Sequence, residues 1–295
     1  MKQPTVHLYT LCWDEADMLG FFFRHYDPWV DRYVIYDDGS TDGSLDILRA
    51  HPKVEIRTFT RTDPKSFVRS HRKMQNEIWK ESRGQADWVV ITAIDEHLWT
   101  PRTSMRSYLS EQQQQGVTFI PALGFDMINP TMPADEGFLI DCINRGQPSV
   151  DFSKLSIFDP NAVIDAGFTM GRHRAKPKGK LRLPAREELI LWHFKRLGFD
   201  RTAAREQTQG ARLGVADVAN GWGRQYLWSP QEFKTNWEKF ERGSTALDKQ
   251  NLASIGPDAE DLWWNSYGRA VRQGSRPTLV SRLLRLIDAA LIWRL

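Results

Sequence analysis

Three groups of polar residues have the types and spacing needed to bind a nucleotide. They are Glu15, the octapeptide Asp37–Ser44 and the tripeptide Asp95–His97. Carboxylates there suit the imide N–H of a base or the hydroxyls of a ribose, since both donate hydrogen bonds. The glycines of the octapeptide let a ligand approach the backbone closely, but the octapeptide lacks the Gly-Lys-Ser/Thr of a phosphate-binding loop. Its simpler interpretation is a surface turn that caps a helix.

The elements that must position these groups are alternating strands and helices in the first hundred residues. Apolar, β-rich runs predict strands at Thr5–Leu11, Tyr33–Tyr36, Val54–Phe59 and Trp88–Ile94. Helices are predicted between them, and the one over residues 67–82 presents Gln75 to a cleft. This alternation predicts a mostly parallel α/β sheet, whose ligands sit beyond the carboxyl ends of the strands. All three polar groups follow such ends.

The pattern is less regular beyond residue 98. The chain divides into a catalytic domain, residues 1–198, and a helical, Trp-rich C-terminal region, residues 199–295. The first domain has a nucleotide-binding half, residues 1–100, and an acceptor half, residues 101–198. A basic segment contains Arg172, Arg174, Lys176, Lys178, Lys180, Arg182 and Arg186. We interpret it either as a solvated loop or as a surface for an anionic acceptor or a membrane.

Composition limits the class of protein. The 295 residues include 40 Lys+Arg and 37 Asp+Glu, so the net charge of +3 argues against a chain that coats nucleic acid. Two cysteines, Cys12 and Cys142, cannot form a disulfide framework and indicate a reducing compartment. No uncharged run of about 18 apolar residues is present, and the first residues lack the apolar core of a signal peptide. We therefore expect a cytoplasmic protein.

Two segments resemble a known enzyme family. The sequence LCWDEADML at 11–19, followed by VIYDDGSTDGS at 34–44, resembles the opening of family 2 glycosyltransferases, in the branch with signatures NEAD-x-L and DNxSTDGS. Gln75-Asn76 and the later run ending in Asp95-Glu96 are similar to the D-x-D-E-F segment of that branch. The resemblance covers residues 5–100, and residues 154–193 more weakly. It implies an A-type glycosyltransferase fold, a nucleotide-binding sheet flanked by helices, here with a helical C-terminal extension.

The resemblance also implies roles for individual residues. Glu15 and Asp38, with Asp37 beside them, would bind the base and ribose of a nucleoside diphosphate sugar, taken to be UDP-linked. Asp95 would match the last acidic residue of the metal-binding triplet. The first position of that triplet is Ala93 here, which departs from the family pattern.

Several interpretations of a Mn²⁺ or Mg²⁺ site remain open. Asp95 could be the single direct ligand, with diphosphate and water completing the shell. Alternatively Asp95 and His97, two apart at a strand end, could share the ion. A third interpretation is a degraded site. His173 and His193 are candidates for a later metal ligand or a diphosphate contact, although a histidine in an apolar run such as that around His193 is more often a core residue.

The transfer reaction needs two further kinds of group. Cations must neutralise the leaving diphosphate, and Lys154 and Lys195 are candidates for this role. A carboxylate must accept the proton of the acceptor hydroxyl. Asp126 is the candidate base because it follows the next predicted strand, and Asp135 and Glu136 are its rivals.

These features predict a metal-dependent glycosyltransferase that moves a sugar to a hydroxyl of a carbohydrate or lipid-linked glycan. Inversion at the sugar and the lipid-linked acceptor follow from the resemblance. The alternative is a binding protein that keeps the fold but has lost turnover, motivated by Ala93. A nucleotidyltransferase is disfavoured because Cys12–Glu15 is not a Gly-rich basic loop. We expect no nucleic-acid partner and leave the oligomeric state open. The amphipathic stretch 276–295 would lie on an anionic membrane, at the inner face of the cell membrane, or pack on protein.

Overall fold

The computed structural model describes residues 3–134, 137–250 and 252–265. The strands are β1 (Val6–Cys12), β2 (Arg32–Asp37), β3 (Val54–Thr58), β4 (Trp88–Ile91), β5 (Glu96–Trp99), β6 (Phe119–Pro121), β7 (Leu123–Asn129), β8 (Arg145–Ser149), β9 (Leu155–Phe158), β10 (Val163–Asp165), β11 (Lys178–Gly179), β12 (Ile190–Leu197) and β13 (Thr245–Ala246). The helices are α1 (Ala16–Tyr26), α2 (Ser44–Ala50), α3 (Phe67–Glu77), α4 (Met105–Gln114), α5 (Leu139–Cys142), α6 (Phe199–Ala211), α7 (Val215–Ala219), α8 (Pro230–Gly243) and α9 (Leu252–Ile255). Short 3₁₀ turns follow α3 and occur at Met170–Arg172 and Arg224–Leu227.

The main sheet has six strands in the order β3-β2-β1-β4-β9-β6. The first four are parallel, whereas β9 is antiparallel to both of its neighbours. β1 is almost entirely buried, as expected for a parallel strand covered on both faces. The predicted α/β architecture with a parallel sheet and flanking helices is confirmed, and within the main sheet the parallel part is confined to β1–β4.

A second sheet of five strands has the order β13-β8-β7-β12-β5. β7 and β12 are parallel and the other pairs are antiparallel. One hydrophobic core joins both sheets, because Leu8 and Val90 of the main sheet belong to the same buried cluster as Phe125 and Trp192 of the second sheet. Hydrophobic periodicity did not predict this second sheet.

The strand order reverses between β1 and β4. The chain leaves β1 through α1 towards β2 and β3, then returns through α3 to β4 on the other side of β1. In open α/β sheets the crevice at such a switch point, outside the carboxyl ends of the strands, is where ligands bind.

The fourth predicted strand is shorter than expected. β4 ends at Ile91, and a turn follows in which the Glu96 N–H donates to the Ala93 carbonyl at 3.1 Å. The chain then enters β5, which belongs to the other sheet. Asp95 therefore lies in the turn and His97 on β5, and the two do not share the end of one strand.

The described part of the C-terminal region contains α6–α9 and also β13, which pairs with β8. Within the described residues, no helix is long and apolar enough to cross a bilayer. The amphipathic stretch 276–295, and the proposed bases Asp135 and Glu136, lie outside the described residues.

Candidate functional site

A cavity of about 440 Å³ lies at the carboxyl ends of β1 and β4. Its walls come from α3, the 3₁₀ turn at Met170–Arg172, α6 and the turn after α7. Seven of the predicted site residues line it: Glu15, Gln75, Asp95, Lys154, His173, His193 and Lys195. Asp37, Asp38, His97 and Asp126 are not among the lining residues.

Asp95 and His193 form the central pair of the cavity. Nε2 of His193 lies 3.7 Å from a carboxylate oxygen of Asp95. The other ring nitrogen, Nδ1, is 3.0 Å from Asp126, which the parallel pairing of β7 and β12 places opposite His193. Phe152 packs on the imidazole with ring centroids 3.9 Å apart. The carboxylate of Asp126 thus orients the ring so that Nε2 faces Asp95 and the cavity.

Asp126, the predicted catalytic base, is not among the residues that line the cavity. Its side chain is buried, with one oxygen bound to His193 and the other to the guanidinium of Arg196. Burial alone would raise its pKa, but His193 and Arg196 lower the pKa of Asp126 below the usual value. A carboxylate that is occupied on both oxygens and lies outside the cavity positions His193 rather than accepting a proton from an acceptor.

The structure does not bring His97, a predicted partner of Asp95 in one interpretation of the metal site, to the cavity. The turn at Thr92–Asp95 changes the alternation of side chains, so β5 presents Glu96 to the cavity and His97 to the core. His97 is fully buried and stacks on His25, with ring centroids 4.5 Å apart and planes 15° apart.

A buried ion triad forms part of the cavity and was not predicted from the sequence. Glu96 binds the ammonium of Lys154 at 2.7 Å and the guanidinium of Arg172, and all three side chains are at most 7% exposed. Burial alone would raise the pKa of Glu96, but the charges of Arg172 and Lys154 hold it well below its usual value. Burial, Arg172 and Lys154 together lower the pKa of the neighbouring His71 to about 3, so this lining imidazole is neutral.

Glu15 lines the cavity and has one carboxylate oxygen without a described partner. Its Oε1 binds the guanidinium of Arg205 from α6, whereas its buried Oε2 accepts no hydrogen bond from the described residues. Burial raises the pKa of Glu15 to about 7, although the charge of Arg205 opposes this shift. The side-chain oxygen of Gln75 is likewise buried without a described partner. Two buried acceptor atoms of residues that line the cavity therefore lack a hydrogen-bond donor among the described residues.

The Asp37–Ser44 octapeptide is a structured turn beside the cavity. Asp37 accepts hydrogen bonds from the backbone N–H groups of Gly39 at 2.9 Å and Ser40 at 3.1 Å, so its carboxylate holds the turn. Asp38 forms an ion pair with Arg212, whose guanidinium stacks on Trp13 at 3.5 Å from the ring centroid. Asp38 reaches the cavity only through Arg212, which lines it.

Sequence reasoning missed the contribution of α6. The polar residues that line the cavity from this segment are Thr202, Arg205, Glu206, Gln209 and Arg212. Their spacing of three and four places them on one helical face, which was a readable signal. Glu206 pairs at 2.9 Å with Lys195, the residue predicted to contact the diphosphate. Although burial opposes it, Tyr226 and Glu206 raise the pKa of Lys195, which stays charged.

The basic segment divides between the interior and the surface. Arg172 is buried in the triad, whereas Arg174, Lys176, Lys178 and Lys180 are exposed. His173 lines the cavity, and its Nδ1 lies 2.7 Å from the Asp151 carbonyl. Burial and the charge of Lys154 lower the pKa of His173.

The donor set fits a divalent cation only in part. Among the described residues, no group of three His, Cys, Asp or Glu side chains could hold a metal ion. Asp95 and His193 are two adjacent donors, and Asp126 supplies the carboxylate that metal-bound histidines commonly have behind them. Mg²⁺ and Mn²⁺ accept such sparse protein ligation when substrate phosphates and water complete the shell.

No protein-family model matches the chain, and no curated protein matches it. A solved structure of 4-diphosphocytidyl-2C-methyl-D-erythritol synthase from Anaerococcus prevotii is 10% identical, covers 53% of this chain and 72% of that chain, and has a TM-score of 0.28. Another structure of a synthase with that name is 14% identical, covers 55% and 77%, and has a TM-score of 0.26. TM-scores this low establish neither fold nor activity for this chain, and the resemblance to family 2 glycosyltransferases stays a prediction.

Proposed function

We propose that this chain transfers a sugar from a nucleoside diphosphate sugar to an acceptor hydroxyl with the help of a divalent cation. The observation that carries the proposal is the Asp95–His193 pair, which is oriented by Asp126 in a cavity at the carboxyl ends of β1 and β4. Parallel α/β sheets bind nucleotides at this position.

The donor nucleotide finds hydrogen-bond acceptors at one side of the cavity. The free oxygens of Glu15 and Gln75 suit the N–H groups of a base and the hydroxyls of a ribose, as the sequence resemblance implies for Glu15. Trp13 adds an aromatic face beside them. A uracil nucleotide is our first choice because its imide N–H matches a carboxylate acceptor.

The leaving diphosphate meets positive charge on two sides. Asp95 and His193 would hold the cation, which supplies charge neutralisation of the diphosphate when bound. Arg205 of α6 supplies guanidinium donors and Lys195, two residues after His193 on β12, supplies an ammonium donor, and they are paired with Glu15 and Glu206 respectively. Such charge-assisted hydrogen bonds stabilise the negative charge that develops on the diphosphate as it leaves the sugar.

The acceptor side needs a different base from the one first predicted. Among the carboxylates of the cavity, Glu206 keeps a buried oxygen, Oε2, without a described hydrogen-bond partner while its Oε1 binds Lys195. Its partner Lys195 is assigned to the leaving diphosphate, so Glu206 lies on the leaving-group side and holds Lys195, whereas inversion at the sugar requires the base for the carbohydrate or lipid-linked glycan hydroxyl on the opposite face.

The second candidate is a binding protein that holds a nucleotide sugar without turnover. The lack of a three-ligand metal group in the described residues, together with Ala93 at the first triplet position, favours it. Such a protein would bind nucleotide through Glu15 and Gln75 but release no nucleoside diphosphate.

Release of nucleoside diphosphate from a panel of UDP-, GDP-, CDP- and TDP-sugars, with and without Mn²⁺, separates the two candidates. The transferase predicts metal-dependent release that falls at least about a hundredfold in Asp95→Asn, as expected for the loss of a metal ligand. The matched control is Asp46→Asn, which removes a carboxylate 84% exposed on α2 and leaves release unchanged. Nucleotide binding without release from any donor would refute the transferase and support the binding protein.

A further inference from the structure

A second charged feature lies on the outer side of the cavity wall. The inner face of α3 lines the cavity through Val68, His71 and Gln75. Its outer face and the segment after the 3₁₀ turn at Met170–Arg172 carry exposed cations, which we call the cationic face: Lys65, Arg69, Arg72, Lys73, Arg174 and Lys176.

Hydrogen bonds from the Asn76 side chain and the backbone connect the two parts of the cationic face. Asn76, on the outer side of α3, donates to the Phe168 carbonyl at 3.2 Å and accepts from the Phe168 N–H at 2.8 Å. The adjacent Gly167 accepts from the Lys176 N–H at 3.0 Å. The segment that bears Arg174 and Lys176 is thus held beside the helix that bears Arg72.

The positive charge of the cationic face is largely unbalanced. Asp63 pairs with Arg69 at 3.3 Å. In the part of the chain that the structure describes, none of the other five cations has a carboxylate within ion-pair distance. Five positive charges that are exposed together repel one another, so they favour an anionic partner.

Exposed aliphatic side chains flank the cationic face at both ends. On α7, Val215 is 72% exposed and Val218 is 48% exposed. This helix is joined to the start of α3, because the Ala216 N–H donates to the Lys65 carbonyl at 2.9 Å. At the other end Ile164 is 66% exposed on β10, which pairs with β11 of the basic segment.

We infer that the cationic face and its flanking aliphatic residues bind the surface of an anionic lipid bilayer. Cations attract the headgroups, and Val215, Val218 and Ile164 enter the boundary between headgroups and acyl chains. A soluble polyanion would use the cations but would gain nothing from exposed valines, so the combination favours lipid. The inference is independent of the proposed function, since none of these side chains lines the cavity.

The test is sedimentation of the full chain with vesicles of phosphatidylcholine alone or mixed with phosphatidylglycerol. We expect binding only to the mixed vesicles, and weaker binding at about 0.5 M than at about 0.1 M NaCl because salt screens headgroup attraction. The triple variant Arg72→Gln, Lys73→Gln, Lys176→Gln should bind about a hundredfold more weakly, since each cation near such a surface contributes about fivefold. The matched control, Lys234→Gln, Lys239→Gln, Arg242→Gln, removes three exposed cations of α8 and should bind as the unmodified protein does.

The valine variants distinguish a bilayer from a soluble polyanion. Val215→Ser, Val218→Ser keeps the charge and should weaken vesicle binding about tenfold through lost apolar burial. Equal binding of the valine variant and the unmodified protein, with displacement by dextran sulfate, would identify a soluble polyanion and overturn the inference. The inference is also overturned if the protein binds neither kind of vesicle. It is overturned as well if the triple variant of the cationic face and the α8 control bind equally while thermal melts show that both are folded.

Discussion

Replacement of Glu96 by glutamine tests the buried ion triad most sharply. The side chain is 2% exposed and balances the charges of Lys154 and Arg172, which are 7% and 2% exposed. Glutamine has the same shape but no charge, so it leaves two buried cations unbalanced. Breaking a buried pair in this way costs about 3–5 kcal/mol, and the amide retains one hydrogen bond, so we expect about 3 kcal/mol.

The assay is urea denaturation, with the free energy of unfolding extrapolated to water. The control is Glu238→Gln on α8, where a carboxylate also lies between two cations, Lys234 at 4.0 Å and Arg242 at 3.9 Å, but all three groups are 46–71% exposed. Exposed pairs contribute at most about 1 kcal/mol. A loss in Glu96→Gln no larger than in Glu238→Gln would refute the view that the triad stabilises the fold.

The pH dependence of this difference has a defined sign. The pKa of Glu96 is well below 4.5 in the folded protein, so its stabilisation is complete above pH 4.5 and is lost as the pH falls towards the depressed value. Burial lowers the pKa of Lys154, and loss of Glu96 lowers it further. The variant should therefore regain stability as the pH rises and this ammonium loses its proton, whereas Glu238→Gln should not.

Three further predictions concern the site and its support. Asp126→Asn removes the carboxylate behind His193 and should weaken Mn²⁺ affinity about 10–100-fold in calorimetric titrations with nucleoside diphosphate; unchanged affinity would contradict the positioning role. Gly124→Ala places a Cβ 2.2 Å from the carbonyl carbon of Phe152 and should lower the free energy of unfolding by about 3 kcal/mol, and a loss below about 1 kcal/mol would contradict that close approach. Because burial raises the pKa of Glu15 to about 7, nucleotide affinity should increase as the pH rises through 7, and Glu15→Gln should flatten that profile; equal profiles would exclude Glu15 from binding.

The parts of the fold that local sequence patterns encode were predictable. β1 and β2 are continuous apolar runs because both faces of a parallel strand are covered, and their ends differ from the predictions by one residue. The polar groups that follow them had to meet at one edge of the sheet. This is why Glu15, Gln75 and Asp95 could be placed around a common cleft before the structure was known.

The end of β4 shows what an apolar pattern cannot encode. Ile94 extends the apolar run, so the strand was predicted to continue to it, but the chain turns after Ile91. The turn is held by the backbone hydrogen bond from the Glu96 N–H to the Ala93 carbonyl and by the Glu96 carboxylate, which accepts from the Ala93 N–H at 3.0 Å, and an apolar pattern encodes neither contact. Because the strand was predicted to continue to Ile94, His97 was placed at the site, whereas the structure places it in the core.

Long-range pairing explains the remaining misses. Asp126 meets His193 because β7 and β12 pair across 67 residues of sequence, and no local pattern specifies that partner. The polar face of α6 was readable, but Arg205 and Arg212 on a helix usually indicate a solvated surface. Only the packing of α6 over the carboxyl ends of β1 and β4 makes it a wall of the cavity.

Metal-dependent stabilisation by nucleoside diphosphates tests the central claim most directly. Thermal melts with UDP, GDP, CDP or TDP, each with and without Mn²⁺, measure whether Asp95 and His193 hold a cation together with a diphosphate. At a concentration of about a hundred times Kd, a bound nucleotide should stabilise the protein by about 2.7 kcal/mol. We predict this stabilisation for one base, only with Mn²⁺, in the unmodified protein and in Asp46→Asn but not in Asp95→Asn. Equal stabilisation without Mn²⁺, or in Asp95→Asn, would contradict the claim.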